Sequence, residues 1–162
     1  MPSTALDIRP LGPIIGAEVH GISLHEPLAD DTVAVLHDAL IKHLVLFFRD
    51  QDISVDEHIR FARNFGALLV HPLVPGLPGH PEILVVEFDR LHPPGGIWHT
   101  DLTFLGTPPS ACVLRAIDVP DQGGDTLWAS MYAAYDALSD EFKRFVSDLV
   151  AIHDFRGNLV GG

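Results

Sequence analysis

His99 and Asp101 are the residues whose types and spacing most directly suggest chemistry. They lie in Ile97-Trp98-His99-Thr100-Asp101-Leu102-Thr103-Phe104, an apolar, aromatic and β-branched run after Gly95-Gly96. That composition predicts a β-strand. Side chains alternate across a strand, so His99 and Asp101 would share one face. An imidazole beside a carboxylate supplies two of the three ligands of a 2-His-1-carboxylate facial triad. Such a triad holds Fe(II) on one side and leaves the other open to oxygen and substrate. The tripeptide alone is not specific. With ten His in 162 residues, a His-x-Asp arises about once by chance. By itself it equally describes a strand histidine hydrogen-bonded to an aspartate at a sheet surface.

The bulk properties narrow the classes. A chain of 162 residues is long enough for one domain with a sizeable core, and residues 1–162 are read as a single domain. A hydrophobic fraction of 47% and a mean hydropathy of +0.23 argue against disorder. A net charge of −12 repels phosphate backbones and disfavours nucleic acid as a partner. A small anionic substrate needs only a local basic pocket and stays open. The lone cysteine, Cys112, makes no internal disulfide and belongs to no C-x-x-C zinc pattern; it is expected to be a small buried strand residue. No secretory h-region opens the chain and no apolar run approaches the ~18 residues of a membrane span. A soluble cytoplasmic protein with no membrane partner, forming a homo-oligomer, is the expectation.

The elements that must position the pair follow from periodicity. Residues 8–24 are short β-type runs punctuated by Gly and Pro, a small hairpin or meander. Val33, Leu36, Leu40 and Leu44 recur at helical spacing, so 31–43 is predicted to be an amphipathic helix, capped by Asp30 or Asp31. Residues 44–48 are a buried strand candidate. Ser54 and Glu57 form a capping box before a helix whose inner face is Val55, Ile59, Ala62 and Phe65, with Arg60 and Arg63 on a solvated face. The proline-rich stretch 68–81 is a loop carrying His71. Strands are expected at 83–88, 111–119 and from Thr126, the last after a hairpin-type turn at Gln122-Gly123-Gly124-Asp125. Ser130 and Ser139 each open a helix, the second presenting Phe142, Phe145, Val146, Leu149 and Ile152. The fold class is β-rich α+β.

Several separated motifs then stand in one order. Trp98 to Phe104, Thr107-Pro108-Pro109 and Gly123-Gly124-Asp125-Thr126-Leu127-Trp128 resemble the TauD/TfdA family of Fe(II)- and 2-oxoglutarate-dependent dioxygenases. Phe47-Phe48-Arg49-Asp50-Gln51, Phe65-Gly66, His71-Pro72 and Ala133-Ala134-Tyr135-Asp136-Ala137-Leu138 support the likeness, which runs from about residue 6 to about residue 156 and is nearest to the family's taurine-oxidising members. The resemblance implies a double-stranded β-helix, or jelly roll, with flanking helices. It implies that His99 and Asp101 bind iron, that Thr126 hydrogen-bonds the carboxylate of 2-oxoglutarate, and that His71 meets the anionic head of the substrate. The implied reaction uses O2 to convert 2-oxoglutarate to succinate and CO2 while hydroxylating a small anionic organic substrate, a taurine-like sulfonate or an alkyl sulfate.

Two departures bear on the substrate site. Val74 and Gly95 stand where the taurine-oxidising members carry a Tyr and an Asn. Both changes delete polar handles, which suits a bulkier or more apolar acid than taurine. A further departure is length. The family's third iron ligand, a distal His, and an Arg for the far carboxylate of the cosubstrate belong to a C-terminal half absent here. His153, Arg115 and Arg156 do not match those positions. The chain is therefore expected to be the N-terminal portion of such a domain, binding iron weakly alone. A non-catalytic remnant acting as an interaction module is the competing expectation, and a cupin-type zinc hydrolase is a third.

Overall fold

The computed structural model describes residues 6–87 and 98–154. Its contacts group into two compact units, Met1–Gly66 with Leu114–Asp148, and Ala67–Val113 with Leu149–Gly162.

The first unit is built on a three-stranded mixed sheet. Strand β1 (Asp7–Pro10) pairs antiparallel with β2 (Ala17–His20), which pairs parallel with β3 (Leu46–Phe47). Pro10 opposes Ala17 on the edge strand, where a missing N–H is tolerated. The β1–β2 connection closes with Leu11 N–H donating to the Gly16 carbonyl at 2.9 Å. Gly16 turns there at φ +89°, a backbone state that penalises a Cβ. This is the hairpin expected from residues 8–24.

Helix α1 (Asp30–His43) crosses between β2 and β3. Its acidic first turn and basic last turn complement the helix dipole. The expected side-chain cap is absent: Ala29 is the N-cap, and Asp31 Oδ1 instead accepts from the Thr32 N–H at 2.7 Å. Helix α2 (Val55–Arg63) carries the complete capping box. Ser54 N–H donates to Glu57 Oε2 at 2.6 Å, and Glu57 N–H to Ser54 Oγ at 3.3 Å. The Ser54 backbone N–H, and after it the Ser54 side chain, pull the Glu57 carboxyl down to about 2, with a smaller contribution from His25.

Among the described residues, Ala17, Val19, Leu24, Leu36, Ala39, Ile53, Ile59 and Phe61 are the buried hydrophobic ones. Phe61, absent from the face expected of α2, stands edge-on to Phe48 and Phe65 at 5.2 and 5.4 Å between ring centroids. Arg60 is likewise not a solvated bystander. Its Nη2 donates to the carbonyls of Leu24 and His25, at 3.2 and 2.6 Å. Gln51 holds the same loop, accepting from Leu24 N–H at 2.9 Å.

Helices α3 (Met131–Asp136) and α4 (Asp140–Ser147) are capped by Ser130 and Ser139 as expected. Helix α4 ends before Leu149, and Phe142, Phe145, Leu149 and Ile152 are exposed rather than buried. The strands expected at 83–88 and 111–119 and from Thr126 are not formed among the described residues. Phe88 lies outside them. A strand lives by its ladder partner, and none of these segments has one there. Cys112 correspondingly stands exposed and outside any strand.

Candidate metal and anion site

His99 and Asp101 lie in the second unit. In place of the expected strand, residues 98–100 have no regular structure and 101–104 form a turn. Leu102 adopts φ 54°, and Leu105 N–H donates back to the Leu102 carbonyl at 3.0 Å. A left-handed leucine costs roughly 1–2 kcal/mol. Despite the turn, both side chains face one point. His99 Nε2 and Asp101 Oδ1 are 3.2 Å apart, and both groups are more than half exposed.

That separation can be compared with a metal's demands. Two donors about 2.0–2.2 Å from one ion and at right angles to each other lie roughly 3 Å apart. The separation of the imidazole nitrogen and the carboxylate oxygen therefore matches that of two neighbouring donors on one ion. No group of three His, Cys, Asp or Glu side chains placed to hold a metal occurs among the described residues. Desolvation, with a contribution from the Asp101 carboxylate, pushes the Cys112 thiol up, away from a ligating thiolate.

His71 occupies the same unit. Its Nδ1 accepts from the backbone N–H of Leu73 at 3.1 Å and of Val74 at 2.8 Å. An Nδ1 that accepts two hydrogen bonds leaves the neutral ring's proton on Nε2. The ring thus offers a donor, the group an anionic oxygen needs. Sequence reasoning treated Val74 only as a lost side-chain handle and missed its amide. Gly95 lies outside the described residues.

Thr126 belongs to the first unit. It is exposed and follows Gly123 and Gly124, both at positive φ. Two residues on, Trp128 packs edge-on to Phe47, 5.4 Å between centroids, which anchors the segment to β3. His153, set aside from the sequence, contacts the motif turn: its Nδ1 is 2.7 Å from Thr103 Oγ1. Arg115 donates to Asp52 at 3.2 Å, and Arg156 lies outside the described residues.

The profile of the family described as taurine catabolism dioxygenase TauD, TfdA matches residues 7–160. This chain belongs to the TauD/TfdA family. It is 40% identical over 153 residues to an alkylsulfatase of Acinetobacter baylyi, covering 94% of this chain and 48% of the relative. It is 36% identical over 149 residues to an alpha-ketoglutarate-dependent sulfate ester dioxygenase of Pseudomonas putida, covering 91% of this chain and 49% of the relative. The crystal structure of a taurine dioxygenase from Burkholderia xenovorans matches with a TM-score of 0.77 at 39% identity, over 87% of this chain and 50% of that one. The chain spans about half the length of these TauD/TfdA relatives. Alpha-ketoglutarate-dependent dioxygenases recur among them, so the family is one of enzymes. No helix among the described residues is long and apolar enough to cross a membrane.

Proposed function

We propose that this chain carries part of the active site of a Fe(II)- and 2-oxoglutarate-dependent oxygenase that hydroxylates a small organic anion, a sulfate ester or sulfonate. The observation that carries the reading is the 3.2 Å approach of His99 Nε2 and Asp101 Oδ1. It meets the spacing of neighbouring donors on one ion, although the backbone that carries them is not a strand. A bare surface ion pair would also place these atoms together, but such a pair contributes only about 0–1 kcal/mol. The family match over residues 7–160 favours the ligand role.

In this reading His99 and Asp101 hold iron, which when bound supplies the activation of O2. Thr126 donates its hydroxyl to a carboxylate of 2-oxoglutarate. His71 presents Nε2–H to the sulfur oxyanion, and Val74 and Gly95 leave room for an alkyl chain. The relatives' sulfate ester and alkylsulfatase names support that substrate class. Hydroxylation of the carbon bearing the sulfur group leaves a product that breaks down to release inorganic sulfur, while 2-oxoglutarate leaves as succinate and CO2. The jelly roll, and the distal His and Arg, belong to the whole family domain, of which residues 1–162 form the N-terminal portion.

The test is anaerobic titration of the chain with Fe(II), with and without 2-oxoglutarate, followed by optical spectroscopy. Weak binding that disappears in both His99→Ala and Asp101→Ala supports the reading; binding equal in all three proteins refutes it. Vigorous succinate formation by the 162-residue chain alone would place a third ligand within it.

A second reading rests on another observation. Val85, Val86, Leu114, Ile117 and Val119 are exposed in segments of β-like composition. Such segments suit a non-catalytic module that pairs with another chain. Discrete oligomers with no iron uptake would favour it.

A further inference from the structure

We infer that His153 is a positioning residue for the metal-binding turn, acting through the Thr103 hydroxyl. The inference rests on the proposed role of His99 and Asp101. Those two residues meet at the start of a turn, 101–104, that includes a left-handed leucine, Leu102. The turn's internal backbone bond is Leu105 N–H to the Leu102 carbonyl, which closes it locally but ties it to nothing distant. Conformations of this kind persist where their surroundings over-determine them.

His153 supplies a tether from fifty residues away. Its Nδ1 lies 2.7 Å from Oγ1 of Thr103, two residues after Asp101 and next to Leu102. Both partners fall in the same compact unit, which joins Ala67–Val113 to the segment from Leu149. Thr103 is half-buried, and its branched Cβ limits the rotamers that can aim the hydroxyl at the ring. A short bond from a stiff side chain to a ring on a distant segment fixes where the turn's backbone lies. His153 therefore sets the geometry of the ligand pair without touching the metal. It also explains how a histidine that matches no ligand position comes to sit beside the motif.

The experiment compares the wild-type chain with Thr103→Val, His153→Ala, His153→Asn and the Thr103→Val/His153→Ala double variant. Thr103→Val keeps the shape and removes the hydroxyl, so it reports even if His153→Ala folds poorly. Imidazole 15N shifts of His99 and amide hydrogen exchange over residues 98–105 are measured on the metal-free protein, then Co(II) is titrated. Expected are changed His99 shifts and exchange faster by at least about tenfold in Thr103→Val and His153→Ala, no further change in the double variant, and recovery in His153→Asn, whose amide can replace Nδ1. Co(II) binding should weaken by about 10–100-fold in the same two single variants. Unchanged His99 shifts and exchange in Thr103→Val and His153→Ala would overturn the positioning role. Co(II) binding that is absent from the wild-type chain, with the shifts and exchange behaving as expected, would refute the proposed metal site and leave the His153 tether standing.

Discussion

Nε2 of His99 and Oδ1 of Asp101 stand 3.2 Å apart although the backbone that carries them is not a strand. Two side chains two positions apart share a side in an extended strand because of the pleat. Here they meet without a strand, at the start of the turn that contains Leu102. That turn carries the Thr103 hydroxyl that meets His153.

Replacing Asp101 by Asn keeps the shape and removes the charge. Removing a metal's outer partner costs about 10–100-fold in affinity, and a direct ligand should cost more than the lower end of that range. Co(II) affinity of Asp101→Asn is expected to fall by more than about tenfold at unchanged far-UV circular dichroism, read by the visible absorption of the bound ion.

The capping box makes part of the stability acid-sensitive. Glu57 titrates near 2 in the folded chain against an ordinary 4.5. A depressed folded value means stability that is fully present above the unfolded value and is lost as pH falls through the folded one. Urea midpoints should therefore decline as pH drops from about 4.5 toward about 2. Ser54→Ala removes the hydroxyl, the second cause, and keeps the backbone N–H that is the first, so it flattens that decline only in part while lowering stability above it by ~1 kcal/mol. An identical acid profile in Ser54→Ala would contradict this.

Arg60 ties helix α2 to the preceding loop through the carbonyls of Leu24 and His25. Arg60→Met keeps the aliphatic stem and deletes both bonds. Bonds to charged groups contribute roughly 1.5–3 kcal/mol when well formed, and partial exposure here reduces the expected loss to about 1–2 kcal/mol. Chemical denaturation measures it, and hydrogen exchange should quicken around Leu24.

Phe61 is buried against Phe48 and Phe65. Phe61→Ala leaves a cavity and loses two edge-on contacts, a cost of about 3–5 kcal/mol. Phe65, only half-buried, should cost less. Equal losses at the two positions would show that burial does not rank them.

The His71 ring should be read directly by long-range 1H–15N spectra. With Leu73 and Val74 amides on Nδ1, the neutral form is expected as the Nε2–H tautomer. Val74→Pro removes one of the two donors and should shift the tautomer balance, whereas Val74→Ala should not.

Local order was legible because its causes are local. Ser54 with Glu57, Ser130 and Ser139 marked helix starts, since a hydroxyl three residues ahead of an amide is set by chain geometry alone. The positive φ of Gly123 and Gly124 likewise follows from residue type, although the hairpin expected around them is not formed among the described residues. The strand expected under His99, those expected at 83–88 and 111–119, and the burial of Cys112 and of the α4 face all require a partner surface, and no periodicity names one. Tertiary structure alone decided that Arg60 holds a loop, that Phe61 packs on Phe48, and that His153 meets Thr103. Each is a contact between a side chain and a group whose distance along the chain says nothing of its distance in space. The residue types fixed which chemistry was available, and packing determined which atoms face one another.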